Sequence, residues 1–156
     1  MVSERARADW RRQKEILRDF EIEDVEDHGL MRLREGRGWT EGFVAIADRG
    51  LVWTETTGSG DRMMPTKTWV GVPYDLIVGH KGLRKIATAD LFLTLDTGEV
   101  LRFNGSKIFV YLCCRALAAP GGSRAWPRPI AEDRLLTLTR SGPTGWRPGR
   151  RVPDGA

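Results

Sequence analysis

Residues 91–103 read LFLTLDTGEVLRF, two apolar runs joined by the turn sequence Asp96–Gly98. Leucine occupies every second position of the first run, and successive side chains of a β-strand point to opposite faces, so these leucines share one face. Gly98 supplies the positive φ that a tight turn requires. The stretch predicts a β-hairpin with strands at Asp90–Asp96 and Glu99–Phe103 and with one face in a hydrophobic core.

The segment before this hairpin alternates apolar and polar residues in a similar way, with glycine or proline at short intervals from Gly29 onward. That pattern is typical of a meander of antiparallel strands. Five further strands are predicted, at Gly29–Arg34, Gly42–Asp48, Leu51–Glu55, Lys67–Val72 and Asp75–His80. We therefore expect a mainly β fold (α+β) with seven strands. Three tryptophans in or beside the strands are expected to fill the core: Trp39, Trp53 and Trp69.

A helix is predicted directly after the last strand, at Lys107–Ala118, where Asn104–Ser106 ends the sheet and supplies a cap. Four of its residues have the i, i+3, i+4, i+7 spacing of a core-facing stripe: Phe109, Leu112, Cys113 and Ala116. The opposite side carries Val110, Tyr111 and Cys114, which is too apolar for a solvated face. We expect another surface to cover that side.

The N-terminal part of the chain predicts a second helix, at Ser3–Phe20, with Ser3 as its cap and Trp10, Leu17 and Phe20 close to one face. The segment Asp19–Asp27 that follows holds six acidic residues, so it is interpreted as a solvated linker or the edge of a first strand. His28, at its end, is expected to be a surface histidine rather than a metal ligand or a general base.

Three regions follow from these patterns: an N-terminal helix and acidic linker at 1–28, a β domain with its closing helix at 29–118, and an extension at 119–156. The extension is rich in proline, glycine and arginine and holds six of the eight prolines, which is not the composition of a second folded domain. Within it, Pro129–Arg140 is apolar enough to form a short helix or strand. We expect this segment to dock on the helix Lys107–Ala118 or on the N-terminal helix.

The formal net charge of +4 is unevenly distributed. Residues 1–118 carry 18 lysines and arginines against 18 acidic residues, whereas residues 119–156 carry seven arginines against three acidic residues. The excess positive charge therefore belongs to the extension. Because the body is neutral, nucleic-acid binding is not the favoured function, and if it occurs we expect it to depend on the basic tail.

Several classes of protein are disfavoured by what the sequence lacks. Cys113 and Cys114 are adjacent and form no disulfide framework, and no second cysteine or histidine pair completes a zinc site. No carboxylate pair, triad or phosphate-binding glycine loop is recognised, so we expect neither an enzyme nor a metal or cofactor. Without an apolar run long enough for a bilayer or a signal peptide, a cytoplasmic protein with no transmembrane segment is expected.

Three segments carry a resemblance to a known family. GFVAIADRGLVW at 42–53, VPYDLI at 72–77 and LTLDTGEVLRF at 93–103 follow one another at plausible spacing. In this order the stretch 36–117 resembles the pleckstrin-homology-like superfamily, in its GRAM and bacterial PH branch. The resemblance implies a seven-stranded, partly open barrel or sandwich closed by a C-terminal helix. It implies a binding module, since such domains bind phosphoinositides, peptides or other proteins.

Two candidate binding surfaces stand out. Lys81, Arg84 and Lys85 belong to the most basic segment of the body, interpreted as a hairpin loop that meets a phosphate or an acidic lipid head group, or is simply solvated. A candidate interaction surface combines the outer side of the second helix with two tail tryptophans that either bind a partner or fold back: Val110, Tyr111, Cys114, Trp126 and Trp146.

The leading functional hypothesis is a non-catalytic module for protein–protein interaction or self-association, with a possible homo-oligomer as its product. It rests on the neutral body and on the apolar outer side of Lys107–Ala118. The alternative is peripheral binding to an anionic membrane through the basic loop and tail. Nucleic-acid binding through the basic tail ranks third.

Overall fold

The fold is described from a computed structural model over residues 3–19, 25–47, 50–96, 98–118 and 135–137. Over these residues the chain forms two α-helices and eight strands. In chain order they are α1 (Glu4–Asp19), β1 (Val25–Glu35), β2 (Gly38–Ala47), β3 (Gly50–Thr57), β4 (Met64–Pro73), β5 (Ile77–Arg84), β6 (Ala89–Leu95), β7 (Val100–Gly105), α2 (Lys107–Ala118) and β8 (Leu135–Thr137). The mainly β class is confirmed, and each of the seven predicted strands overlaps an observed strand.

The strands form one sheet with the order β5-β6-β7-β1-β2-β3-β4-β8. Neighbouring strands are antiparallel, except that β8 pairs with β4 in parallel. The sheet is not closed, because the edge strands β5 and β8 are at opposite ends of this order. We call its two sides the α1 face and the α2 face, after the helix that packs on each.

The core under α2 is the larger of two hydrophobic clusters. It gathers buried side chains from β1 to β4 and from β6 and β7, among them Leu33, Val44, Leu91 and Leu93, and β5 adds the half-buried Ile77. The predicted alternation in 91–95 is confirmed, since the three leucines all lie in this cluster. Helix α2 has the predicted bounds, and the Ser106 hydroxyl accepts a hydrogen bond from the Phe109 amide at 3.1 Å, as a cap should.

The second cluster lies on the opposite side of the sheet, under α1. Ile16 and Leu17 of the helix are buried there against Phe43, Val52 and Trp69. Ser3 caps α1 by accepting a hydrogen bond from the Ala6 amide at 3.1 Å, which confirms the predicted start of this helix. Trp10 is different from the prediction in that 48% of its surface is exposed.

Two polar contacts fix α1 to the turn between β3 and β4. The Asp9 carboxylate accepts a hydrogen bond from the Gly60 amide at 2.6 Å, and the Arg12 guanidinium donates to the Met63 carbonyl at 2.8 Å. The helix is therefore held by apolar packing in its last turns and by hydrogen bonds from its middle. The N-terminal helix belongs to the same packed body as the sheet.

The prediction for His28 was wrong, because it is buried rather than exposed on a linker. β1 begins already at Val25, and His28 points to the α1 face, where its ring stacks on Trp10 with 5.2 Å between centroids. Its Nδ1 lies 2.8 Å from the side-chain oxygen of Gln13. The residues before His28 in the sequence are acidic, but α1 packs over the His28 side chain and shields it from water.

The segment interpreted as a basic hairpin loop is also different in the structure. Residues 77–84 form strand β5, so Lys81 and Arg84 are strand residues, and only Lys85 lies in the following turn. Gly82 suggested a turn, but it lies where β5 approaches α2 closely. A Cβ on Gly82 would meet Cys114 Sγ at 3.3 Å and Val110 at 3.6 Å. Tyr74–Leu76, which includes the predicted strand residue Asp75, is a short 3-10 helix.

The C-terminal extension is described only at β8. Its backbone pairs with β4 in the register Trp69 to Leu135, which places part of the predicted docking segment at the sheet edge. The rest of 129–140, together with Trp126 and Trp146, lies outside the described residues. Neither α-helix of the described chain is long and apolar enough to cross a membrane.

Candidate functional site

The predicted interaction surface on α2 is largely covered. Val110 is 3% exposed and belongs to the core, which contradicts its predicted place on an outer face. Cys114 is half-buried, and both side chains pack toward Gly82 of β5. The surface that we expected to cover this side is thus a strand of the same domain. Of the predicted helix residues only Tyr111, 64% exposed, stays on the surface.

The exposed side of α2 presents other apolar residues. Ile108 is 76% exposed and lies one helical turn from Tyr111. Ile86, in the turn between β5 and β6, is 99% exposed. The two elements are joined because the Lys107 ammonium group donates a hydrogen bond to the Ile86 carbonyl at 2.7 Å. Two isoleucines and a tyrosine therefore share one end of the domain.

Cations surround these side chains. We define the apical patch as the exposed apolar residues together with their basic neighbours: Arg84, Lys85, Ile86, Lys107, Ile108 and Tyr111. The turn at its tip is closed by a hydrogen bond from the Lys85 amide to the Thr88 carbonyl at 2.9 Å. The sequence predicted Arg84 and Lys85 as binding residues but not Lys107, Ile86 or Ile108, whose positions depend on where the turn meets α2.

The three predicted ligand-binding cations do not converge on one point. Lys81 and Arg84 are three residues apart on a strand, so their side chains leave opposite faces of the sheet. Lys81 is paired with Phe92, and Arg84 is paired with Ala89. Lys85 is turned toward Asp90, with 3.1 Å between Nζ and a carboxylate oxygen. A single phosphate pocket formed by all three is therefore ruled out.

Asp90 is the centre of a buried polar cluster on the α1 face. Its carboxylate is fully buried and accepts two hydrogen bonds from Arg102, at 2.7 and 3.1 Å, and one from Asn104 at 2.8 Å. Burial raises the pKa of Asp90, but the hydrogen bonds from Asn104, Arg102 and Lys85 outweigh it and hold the pKa below its ordinary value. The cluster fixes the positions of Arg102 and Lys85.

Burial also shifts the pKa of titratable groups elsewhere among the described residues. Burial raises the pKa of both Cys113 and Cys114, so neither thiol is activated as a thiolate. Burial also lowers the pKa of His28. Within the described residues, no group of three or more histidine, cysteine or acidic side chains is placed to hold a metal ion.

Two of the cavities lined by described residues open on the α1 face. One, of about 320 Å³, lies beside Trp10 and His28. The other, of about 410 Å³, lies between α1, the start of α2 and the turn after β3, with Asp9 and Asn104 in its wall. The carboxylate of Asp9 is already bonded to Gly60, and the amide of Asn104 to Asp90. These polar groups serve the fold.

The fold and its surfaces define a small, mainly β module with two helices. Comparison with known proteins does not narrow this class to a family. No family model matches the sequence. A 71-residue segment is 37% identical to part of a catalase-peroxidase of Podospora anserina, a match that covers 41% of this chain and 9% of that protein. This chain therefore spans less than a tenth of that relative.

Among solved structures, the chain matches the C-terminal domain of an unknown protein from Leishmania infantum. It aligns with a TM-score of 0.45 and 13% sequence identity, over 69% of this chain and 93% of that domain.

Proposed function

We propose that this chain is a non-catalytic binding module of the pleckstrin-homology-like type, and that its apical patch attaches it to an anionic membrane surface. The proposed family is supported by the element order, in which seven antiparallel strands precede a C-terminal helix that packs on their core. The cytoplasmic location predicted from the sequence is part of the same proposal.

The observation that carries the proposal is the exposure of Ile86 at the tip of a turn flanked by cations. A large aliphatic side chain gains roughly 1.5–3 kcal/mol when it leaves water, and here Ile86 and Ile108 can enter an apolar layer together. Each lysine or arginine near an anionic leaflet adds about 1 kcal/mol. Arg84 and Lys107 would lie at the level of the head groups.

Co-sedimentation with vesicles tests this function. The full chain should bind vesicles of phosphatidylcholine and phosphatidylserine, bind pure phosphatidylcholine much less, and dissociate as salt rises. Ile86→Asp should abolish binding, and Arg84→Ala and Lys107→Ala should each weaken it roughly fivefold. Val100→Asp is the matched control, since Val100 is 54% exposed and lies outside the patch. Equal binding by the two aspartate variants would refute the proposal.

A second candidate function is self-association, which the edge of the sheet favours. Among the described strands β5 pairs only with β6, and Val78 on it is 65% exposed. A second copy can add to such an edge by main-chain hydrogen bonds, with Tyr111 packed beside it. Light scattering should then give a dimer that Tyr111→Glu weakens. A protein that is monomeric at every concentration would exclude this function.

A further inference from the structure

A row of two aromatic and three cationic side chains crosses five neighbouring strands on the α1 face. We define the outer row as one residue from each of β2, β1, β7, β6 and β5: Trp39, Arg34, Arg102, Phe92 and Lys81. Direct partners in the sheet are Trp39 with Arg34, Arg102 with Phe92, and Phe92 with Lys81. The row lies beyond the part of this face that α1 covers.

The members of the row are in contact with one another. The guanidinium carbons of Arg34 and Arg102 both lie 5.3 Å from the ring centroid of Trp39, and Arg102 lies 5.5 Å from that of Phe92. Arg32 flanks the row at 4.9 Å from Trp39. Trp39 was expected in the core, but it is only half-buried and lies on the surface between arginines.

The charge of the row is only partly neutralised. Arg102 is paired with the buried Asp90, whereas Arg34 and Lys81 form no ion pair with any residue that the structure describes. Arg34 uses its Nε on the Gly36 carbonyl at 3.0 Å, which leaves its terminal nitrogens as donors for a ligand. The row therefore keeps two cations available to a ligand, although the net charge of residues 1–118 is zero.

We propose that the outer row binds single-stranded nucleic acid. The Arg102 guanidinium carbon lies 5.3 Å from the Trp39 ring centroid and 5.5 Å from that of Phe92, so the two rings are no more than about 11 Å apart and offer stacking surfaces to neighbouring bases of one strand. The cations between and beside them face the phosphates. An acidic peptide would use the arginines but would leave both aromatic side chains without a role, so charge and ring positions together favour a nucleotide polymer.

This proposal concerns a different face from the apical patch and does not depend on it. It also changes the role expected for the arginine-rich tail, which sequence analysis made the only source of nucleic-acid affinity. Here the sheet supplies the stacking surfaces, and the tail can add only electrostatic attraction.

Fluorescence anisotropy with the full chain and a labelled oligonucleotide of about 12 nucleotides, within the site size of a small single-strand binding domain, tests the proposal. Trp39→Leu and Phe92→Leu should each weaken binding roughly tenfold, whereas Trp39→Phe should keep most of the affinity because it keeps a ring. Circular dichroism and a thermal melt of each variant separate this effect from loss of fold.

Salt dependence tests the cations separately. Arg34→Ala combined with Lys81→Ala should lower the slope of log affinity against log salt by about 0.7 for each phosphate that is no longer neutralised. The control removes two exposed charges elsewhere, Arg11→Ala with Arg115→Ala, and should leave the slope unchanged. Inorganic polyphosphate and a polyglutamate peptide should bind more weakly than the oligonucleotide.

Three results would overturn the proposal. The first is the absence of binding by the wild-type chain. The second is wild-type affinity in the Trp39→Leu and Phe92→Leu variants, which would assign the binding to charge alone, as in the basic tail. The third is binding of polyphosphate or polyglutamate as tight as that of the oligonucleotide, which would mean that the row recognises anions without regard to bases.

Discussion

Asp90 illustrates how one residue in this chain combines structural and electrostatic roles. A fully buried carboxylate is costly unless hydrogen bonds and a counter-charge compensate it, and here Arg102, Lys85 and Asn104 provide both. Asp90 was predicted as the first residue of its strand, and β6 in fact begins one residue earlier, at Ala89. The burial of Asp90 could not be predicted, because the donors come from β7 and from the turn before β6, which are brought together only by the fold.

Asp90→Asn should reduce the free energy of unfolding by about 1–3 kcal/mol, because it removes the negative charge and places a donor NH2 group where one carboxylate oxygen accepts, while Arg102 can still reach water. Urea denaturation at pH 7 measures this, with the exposed Asp61→Asn as a control. Since the folded-state pKa of Asp90 is lowered, its contribution is present above the unfolded pKa of about 3.9 and is lost as the pH falls below it. A deficit in the variant that persisted unchanged at pH 2 would contradict this account.

His28 gives a second prediction at the residue scale. Burial lowers its pKa, Asp27 opposes that effect and Lys14 adds to it, so the folded state favours the neutral ring. The unfolded chain therefore binds the proton more readily, and stability should fall as the pH drops below about 6.5. Urea denaturation between pH 7.5 and 5.5 should show this loss in the wild type and a smaller loss in His28→Gln. Equal losses in the two proteins would exclude His28 as the cause.

Helix α2 shows what can and cannot be predicted for a whole element. Its bounds and its cap follow from Ser106 and from the apolar stripe, and both are confirmed. Its outer face was misjudged, because a helical wheel cannot show that β5 approaches closely at Gly82. The same glycine made the basic segment resemble a loop. Local sequence thus predicts where an element begins and ends better than it predicts what the element touches.

The docking of α2 also depends on Gly29 of β1, which lies directly under the Phe109 ring. A Cβ at this position would come within 2.5 Å of the ring, so Gly29→Ala should displace α2 and cost about 1–3 kcal/mol by overpacking. Thermal and urea unfolding can measure the loss. Gly38→Ala is the matched control, since its Cβ would meet nothing closer than 3.9 Å and stability should change little. Phe109→Leu should relieve part of the cost in the double variant, and a full additive loss would contradict the contact.

At the scale of the whole molecule, the single sheet separates two hydrophobic clusters. The cluster under α2 is foreshadowed by alternating leucines, which explains why the sequence predicts the β domain well. The cluster under α1 could not be predicted in this way. The apolar stripe of this helix is thin, and nothing in the sequence of β2, β3 and β4 indicates that their side chains pack against a helix. The outer row on the α1 face likewise could not be predicted from the sequence, because its five residues come together only when the order of the strands in the sheet is known.

The separation of the clusters predicts how mutations on the two sides combine. Ile16 lies under α1 and Ile46 lies in the α2 cluster, both almost fully buried, and each Ile→Val change should cost about 0.5–1.5 kcal/mol. Because the two side chains belong to different clusters, the losses in the double variant should add to within about 0.5 kcal/mol, provided that the domain unfolds in one step. Ile46→Val combined with Leu51→Ala, direct cross-strand partners within the α2 cluster, serves as the comparison in which coupling is expected. Coupling between Ile16 and Ile46 as large as that within the α2 cluster would mean that the sheet transmits packing from one face to the other and that α1 and α2 stabilise a single core.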